Sequence, residues 1–172
     1  MPGAVRAIWV VLALVLGPAL PGRADDAPWV VAIVTHVTDG DTVWLELGAA
    51  SGGHPHGRIK VRIEGIDAPE SCQPWGVQAG EALRERALGR AVQVQLRRQD
   101  VYARWLARLQ QDGEDIGAWM VEQGHAWSYR YRRGAGPYER QEEQARREGR
   151  GLFSQPGPIP PGVFRQSHGP CR

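Results

Sequence analysis

The order of short β-type runs along the chain is the feature that most restricts its fold. Five runs are either apolar and β-branched or alternate between apolar and polar residues, which is typical of strands. These runs are Trp29–Val37, Thr42–Leu47, Arg58–Ile66, Ala91–Arg97 and Arg104–Gln110. In the third run, Ile59, Val61 and Ile63 alternate with charged residues. That alternation predicts a strand with one face in the core and the other toward solvent.

Three helical stretches complete the pattern. One lies between the third and fourth runs, at Gly76–Gly89, with Ala79 and Leu83 on its apolar side. The other two follow the fifth run, at Asp115–Gln123 and Pro137–Glu148, and a glycine comes directly after each. Five strands with a helix between the third and fourth is the order of an OB-type barrel. We therefore predict an α+β fold, a five-stranded OB-fold-type β-barrel with about three α-helices.

The first 24 residues have the layout of a secretory signal peptide. Arg6 precedes the apolar run Ala7–Leu20, and small residues follow before Asp25. The run has 14 residues, whereas a helix needs about 20 to cross a bilayer. We expect a mature chain that begins near Ala24 or Asp25, is secreted or periplasmic, and leaves the membrane after cleavage. An uncleaved membrane anchor is the alternative.

Charge limits how the mature chain could bind a polyanion. Residues 25–153 are predicted to form one domain, followed by a Pro/Gly-rich tail at 154–172 that wraps the surface. The whole chain has a formal charge of +2, and its leader contains two arginines and no acid, so the mature chain is neutral. Nucleic acid would therefore need a local basic patch. Arg130–Arg150, with seven arginines and four glutamates, is one candidate, and a solvated helix with ion pairs between residues four apart is the alternative.

Two acidic motifs lie at the ends of predicted strands. Asp39-Gly40-Asp41-Thr42 separates the first two strands, and Asp67-Ala68-Pro69-Glu70 follows the third. Neighbouring strands can bring Asp41 and Asp67 together. Two carboxylates and a backbone carbonyl suit a hard cation such as Ca²⁺, with waters and a substrate phosphate as further ligands. The alternative is that both motifs are ordinary turns that end strands.

These motifs belong to a longer series in a fixed order. After D-G-D-T come R-x-x-G-I-D-A-P-E and D-x-Y-x-R-x-L-A, then Gly124-His125-Ala126-Trp127 and Gly151-Leu152-Phe153. In order and spacing the series resembles the staphylococcal nuclease family, over Trp29 to about Phe153. Several separated motifs in one order are far more specific than any single motif.

The resemblance implies Ca²⁺-dependent hydrolysis of DNA and RNA with low sequence specificity, yielding 3′-phosphate ends. The implied calcium ligands are the carboxylates of Asp41 and Asp67 and the carbonyl of Ala68. The implied catalytic residues are Glu70 as general base and Arg62 and Arg104 as ligands of the scissile phosphate. The implied nucleotide-pocket residues are Tyr102 and either Tyr129 or Tyr131. Nucleic acid is the partner implied, with no stable protein partner, and we expect a monomer.

The chain departs from the family pattern at several positions. Ala68 replaces a common Thr, and a carbonyl ligand survives that change. Ala103 replaces the usual Gly before the catalytic arginine, which threatens activity only if that backbone needs a positive φ. Val101 stands where a basic residue is usual, and the spacing from Gly124 to the tyrosines is one residue shorter.

Two other functions compete with a nuclease. An OB-type module could bind single-stranded nucleic acid without cutting it, but such a module would not need the complete set of acids and arginines. A Ca²⁺-binding structural domain of the cell envelope would not need Arg62 and Arg104. The complete set therefore favours an enzyme.

The two cysteines, Cys72 and Cys171, suggest one disulfide. An exported chain with two cysteines has no other intramolecular partner for either. The Pro-rich stretch before Cys171 is long enough to reach the loop after Glu70, at up to about 3.3 Å per extended residue. Two unpaired thiols, or a bridge between two chains, are the alternatives.

Overall fold

A computed structural model describes residues 27–48, 56–131, 134–169 and 171 of the chain. The predicted leader at residues 1–24 lies outside the described residues. Among the helices of the described ranges, none is both long and apolar enough to span a bilayer.

The structure alternates short strands with short helices. The strands are β1 (Trp29–Val37), β2 (Thr42–Leu47), β3 (Gly57–Ile63), β4 (Ile66–Asp67), β5 (Ala91–Gln99), β6 (Trp105–Gln111), β7 (Glu114–Asp115) and β8 (Trp127–Ser128). The α-helices are α1 (Gly76–Ala87), α2 (Ile116–Glu122), α3 (Glu139–Arg147) and α4 (Pro161–His168), and a 3-10 helix covers Gly151–Ser154.

Five of these strands close into a barrel. Antiparallel pairing runs β3-β2-β1-β5-β6, and a parallel pairing of β3 with β6 closes the circle. In that closing pair Val61 lies opposite Trp105 and Arg62 opposite Leu106. The predicted α+β fold with a five-stranded OB-type barrel is confirmed.

Alternation along each strand fills the barrel interior. In β3, Ile59, Val61 and Ile63 are buried, while the residues between them are partly exposed. Leu83 of α1 is fully buried against the same core. Burying such a side chain contributes about 1.5–3 kcal/mol relative to leaving it exposed. The inward face of β3 therefore fixes Arg62 on its outward face.

The third predicted strand, Arg58–Ile66, is interrupted in the structure. β3 ends at Ile63, the chain turns at Glu64 and Gly65, and the short β4 then pairs with β8. Gly65 has φ of 86°, and a Cβ there would lie 2.7 Å from Cγ of Pro137. The turn therefore requires glycine. Because the chain changes direction here, Asp67 lies elsewhere than it would at the end of a continuous strand.

The tail contains a helix that its Pro/Gly-rich composition did not predict. Pro161 is the first residue of α4, Phe164 is buried, and Gly169 follows the helix with φ of 71°. The described residues therefore contain four α-helices rather than about three. We call residues 155–169 and 171 the C-terminal strap.

Helix α3 pairs most of its charges within itself. Arg146 pairs with the buried Glu142 at 2.8 Å, and Arg147 pairs with Glu143 at 3.9 Å. Glu142 also accepts a hydrogen bond from the Ser128 N–H at 2.9 Å. No described arginine of the predicted basic segment lines the cavity that contains Arg62 and Glu70. These contacts favour the solvated helix over a substrate-binding patch.

Candidate active site

Asp41 is held in a tight turn between β1 and β2. Its N–H donates to Oδ1 of Asp39 at 3.1 Å, and its own Oδ2 accepts from the Ala68 N–H at 3.1 Å. A Cβ at Gly40 would lie 2.7 Å from Cβ of Ala68 and 2.8 Å from Cβ of Ala79, so only glycine allows this approach. Asp41 is therefore buried and fixed against the loop that follows β4.

Arg62 joins the two acidic motifs. The β2–β3 register pairs Thr42 with Arg62, which places the guanidinium beside the turn that carries Asp41. Nη1 donates to Oδ1 of Asp41 at 3.0 Å, and Nη2 donates to Oδ1 of Asp67 at 2.7 Å. Strand pairing and the turn at Gly65 thus bring together two carboxylates that are distant in sequence.

The cluster carries more negative charge than Arg62 neutralises. Burial, and then the neighbouring Asp41, raise the pKa of Asp39 to about 6. Burial also raises the pKa of Asp67, against the opposing effect of Arg62. Burial alone would lower the pKa of Arg62, but Asp41 and Asp67 outweigh it and raise that pKa. A second guanidinium, that of Arg165, also lies 3.7 Å from Oδ2 of Asp67.

The donors of this cluster are compatible with a hard divalent cation. Asp41 and Asp67 supply carboxylate oxygens, the ligand type that Ca²⁺ prefers. Within the described ranges, no three or more His, Cys, Asp or Glu side chains are grouped as a metal site. A cation on these two carboxylates would therefore need a backbone carbonyl, waters or substrate oxygens to fill its shell.

Glu70 is held at the rim by its own loop. Its N–H donates to Oε1 of Gln73 at 3.1 Å, and its carbonyl accepts from the Gln73 N–H at 2.8 Å. Its carboxylate forms an ion pair with Nη1 of Arg165. Helix α1 begins directly after this loop, with Trp75 in the left-handed region at φ of 72° and Gly76 as the first helical residue.

Gly76 is a sensitive position for this loop, and Gly80 in the same helix is a matched control. A Cβ at Gly76 would lie 1.9 Å from the Glu70 carbonyl oxygen, whereas at Gly80 the nearest atom is 3.8 Å away. A displacement of about 1 Å can cost up to 10²-fold in rate. We expect Gly76→Ala to lower turnover about tenfold, because the loop relaxes only in part, and Gly80→Ala to preserve it. Equal rates for the two variants would show that the Glu70 loop is not positioned this way.

Asp100 orients the second arginine. Its Oδ2 accepts from Nε of Arg104 at 2.8 Å, and its Oδ1 accepts from the N–H groups of Tyr102 and Arg104 at 2.9 and 3.0 Å. Burial alone would raise the pKa of Asp100, but the Arg104 N–H, the Arg104 guanidinium and the Tyr102 N–H outweigh it and lower that pKa. The turn before β6 therefore delivers Arg104 in a defined orientation.

Ala103 in this turn has φ of 58°, the left-handed region that the usual glycine would adopt freely. An L-residue in this region costs about 1–2 kcal/mol, which glycine would avoid. Glycine also makes the unfolded chain more flexible, and this lowers the free energy of unfolding by about 0.4–1 kcal/mol. We expect Ala103→Gly to raise the free energy of unfolding by about 0.5–1 kcal/mol. In the extended β5, Ala91→Gly should instead lower it by about 0.5–1 kcal/mol. Urea denaturation checks both, and a loss of stability in Ala103→Gly would contradict the expectation.

The predicted tyrosines share one cavity with the arginines. It has a volume of about 1080 Å³. The sequence-predicted residues that line it are Asp41, Arg62, Ala68, Glu70, Tyr102, Arg104, Tyr129 and Tyr131. Tyr102, Tyr129 and Tyr131 are 76%, 46% and 68% exposed, so their rings are available to a ligand. Asp67 does not line the cavity itself but contacts two residues that do, Arg62 and Arg165.

The remaining predicted pair, Cys72 and Cys171, lies beside the cavity. The two form a disulfide with 5.6 Å between their Cα atoms. Sequence reasoning assigned no role to Asp100 or Arg165. Asp100 belongs to the D-x-Y-x-R motif, and its spacing to Arg104 was a usable signal. Arg165 had none, because its position depends on the fold of the strap.

Known proteins similar to this chain include several that are named nucleases or endonucleases. A family model described as staphylococcal nuclease homologue matches residues 60–155. A protein of Shigella flexneri named micrococcal nuclease is 36% identical over 170 residues, covering 92% of this chain and 91% of that protein. A protein of Haemophilus influenzae named uncharacterized endonuclease is 33% identical over 134 residues, covering 77% and 71%. Protein ParB of Escherichia coli is 32% identical over 144 residues, covering 77% of each chain.

Proposed function

The chain belongs to the staphylococcal nuclease homologue family, and from that premise we propose that it is a Ca²⁺-dependent nuclease that hydrolyses DNA and RNA with low sequence specificity. Relatives named nuclease or endonuclease support hydrolysis of phosphodiester bonds. The observation that carries the proposal is the guanidinium of Arg62 between the carboxylates of Asp41 and Asp67, at a cavity that also contains Glu70 and Arg104.

Glu70 is the proposed general base. It takes a proton from a water molecule, whose oxygen forms a bond to phosphorus while the bond to the 5′-oxygen breaks. The 5′-oxygen takes up a proton from solvent, and the phosphate stays on the 3′ side. General-base catalysis of this kind contributes roughly 10² to 10⁴ in rate. The partly exposed Glu70 carboxylate at the rim is accessible to that water.

The arginines stabilise the charge that develops on the phosphate. Arg62 and Arg104 present planar forks of N–H donors, which form the strongest charge-assisted bonds to phosphate oxygens. Each fork is held in this structure by carboxylates, Arg62 by Asp41 and Asp67, and Arg104 by Asp100. Substrate binding exchanges some of those carboxylate contacts for phosphate contacts.

Calcium, held by Asp41, Asp67 and the carbonyl of Ala68, would neutralise charge on a non-bridging phosphate oxygen as a Lewis acid. The burial of both acids supports a cation there, because three aspartates, Asp39, Asp41 and Asp67, face the two guanidiniums of Arg62 and Arg165. The hard oxygen donors support Ca²⁺ over metals that prefer sulfur or nitrogen ligands.

The exposed tyrosines support weak sequence selectivity. Base stacking on aromatic rings tolerates any base, because every base has a π-face. Tyr102 also lies under the Arg104 guanidinium, 5.3 Å from ring centroid to Cζ, so a stacked base and a bound phosphate would be neighbours. We propose unpaired or flexible strands as the preferred substrates.

We also propose that the protein is exported and acts as a monomer. The predicted leader and the Cys72–Cys171 disulfide support an oxidising compartment, where such bonds persist. We also propose that the products have 3′-phosphate ends, on the basis of membership of the family.

The test is a digest of single-stranded DNA, duplex DNA and RNA by the purified mature protein in millimolar Ca²⁺ and in chelator, followed by end-group analysis. We expect cleavage of all three in Ca²⁺, fastest for single strands, with 3′-phosphate ends. Tight binding of single strands without any cleavage would instead identify a binding module. If the protein neither binds nor cleaves any of the three substrates, the acidic cluster has a structural role instead.

A further inference from the structure

The C-terminal strap is fastened beside the Glu70 loop at two points, and one of its apolar side chains is buried. The Cys72–Cys171 disulfide closes a separation of 99 residues. Nε2 of Gln73, whose own side chain also contacts the Glu70 loop, donates to the Ile159 carbonyl at 2.6 Å. Phe164 of α4 is also buried, and its ring stacks on His168 of the same helix. These contacts fix the backbone of α4 over the rim of the cavity.

Arg165 is the residue that this strap presents to the site. Its Nη1 forms an ion pair with Oε1 of Glu70, and its Nη2 lies 3.7 Å from Oδ2 of Asp67. Its side chain is 43% exposed and lines the same cavity as Arg62 and Arg104. The strap therefore places a guanidinium in direct contact with the proposed base.

We propose that Arg165 is a ligand for a substrate phosphate beside Glu70, delivered by the disulfide-closed strap; this inference rests on the proposed function. A partly exposed ion pair contributes little stability, so Glu70 releases the guanidinium readily. A phosphate offers the same fork a stronger, bidentate partner. Only the side chain has to move, because the backbone of α4 stays fastened.

The contact between Arg165 and Glu70 could instead be inhibitory. If Arg165 only blocked Glu70, its removal would speed up hydrolysis. The geometry favours the ligand, because a strap closed by a covalent bond does not swing away to let substrate in. The two possibilities predict effects of opposite sign.

The first experiment measures the binding of a phosphorothioate-linked single-stranded DNA octamer, which keeps the backbone charge and resists hydrolysis. For Arg165→Gln, we expect the slope of log affinity against log salt to become shallower by about 0.7, the value for one lost phosphate contact on a single strand. Arg165→Lys should keep the slope. Arg147→Gln is the matched control, because Arg147 is 69% exposed on α3 and lies outside the cavity.

Hydrolysis of ordinary single-stranded DNA completes the test. We expect kcat/KM of Arg165→Gln to fall about tenfold, the loss corresponding to about 1.4 kcal/mol of transition-state stabilisation, and that of Arg147→Gln to stay unchanged. An unchanged salt slope, or faster hydrolysis, in Arg165→Gln would overturn the proposal. If the wild-type protein cleaves no substrate, the proposed function is wrong. The salt dependence of octamer binding would still show whether Arg165 contacts a phosphate.

A second variant tests delivery by the strap. Cys171→Ser removes the disulfide, and we expect the same shallower salt slope as in Arg165→Gln. In the Cys171→Ser background, adding Arg165→Gln should then change the slope little. A full additional effect in that background would show that Arg165 does not need the disulfide to reach the phosphate. Thermal unfolding of each variant confirms that the measurements are made on folded protein.

Discussion

Glu70→Gln should lower the turnover number on single-stranded DNA by roughly 10² to 10⁴, the contribution of a general base. The amide keeps the shape of the side chain but cannot accept the proton of the attacking water. The loop itself should persist, because the contacts of Glu70 with Gln73 use backbone atoms of Glu70. The direct ligands proposed for Ca²⁺, Asp41 and Asp67, are untouched.

Initial rates at saturating substrate measure this effect. Glu81→Gln is the matched control, because Glu81 is exposed on α1 and lies outside the cavity. We expect that control to keep full activity, and Glu70→Gln to keep Ca²⁺ binding in the presence of a nucleotide. Full activity of Glu70→Gln would assign the base to another group.

Arg104→Lys should lower turnover by about 10² to 10³, the loss seen when one donor to a developing charge is removed. Lysine keeps the charge but lacks the planar fork that Asp100 orients. Because the fork acts most strongly on the transition state, the loss in turnover should far exceed any loss in ground-state binding.

Separate measurements of kcat and of substrate dissociation test this split. Arg90→Lys, at an exposed residue just before β5, is the control and should change neither. An unchanged kcat for Arg104→Lys would mean that Arg104 serves only its ion pair with Asp100.

The barrel could be predicted from sequence because its strands are amphipathic on a period of two. Ile59, Val61 and Ile63 point inward, and the charged residues between them point outward, as the alternation requires. The interruption of the third strand at Gly65 was missed, although Ile66 is out of phase with these three inward residues and was a usable signal. It depends on the close approach of Pro137, a contact between distant parts of the chain.

Helix α4 was missed because proline and glycine are abundant around it. Two of those residues are its boundaries, with Pro161 at the first helical position and Gly169 after the end. That placement was a usable signal. The buried Phe164, which holds the helix against the domain, acts only in the folded chain.

The acidic motifs indicated one cluster, and strand register brings Asp41, Arg62 and Asp67 together. The pattern could not indicate that Arg165 reaches Glu70, because 95 residues separate them and no periodicity relates a tail to a loop. That contact depends on the strap and its disulfide.

The most direct test of the proposed nuclease is the initial rate of acid-soluble nucleotide release from single-stranded DNA as free Ca²⁺ is raised from chelator to millimolar concentration. We predict negligible release in chelator and a rate that rises and saturates with Ca²⁺. A rate that is independent of Ca²⁺, or no release at any Ca²⁺ concentration, would contradict a Ca²⁺-dependent nuclease.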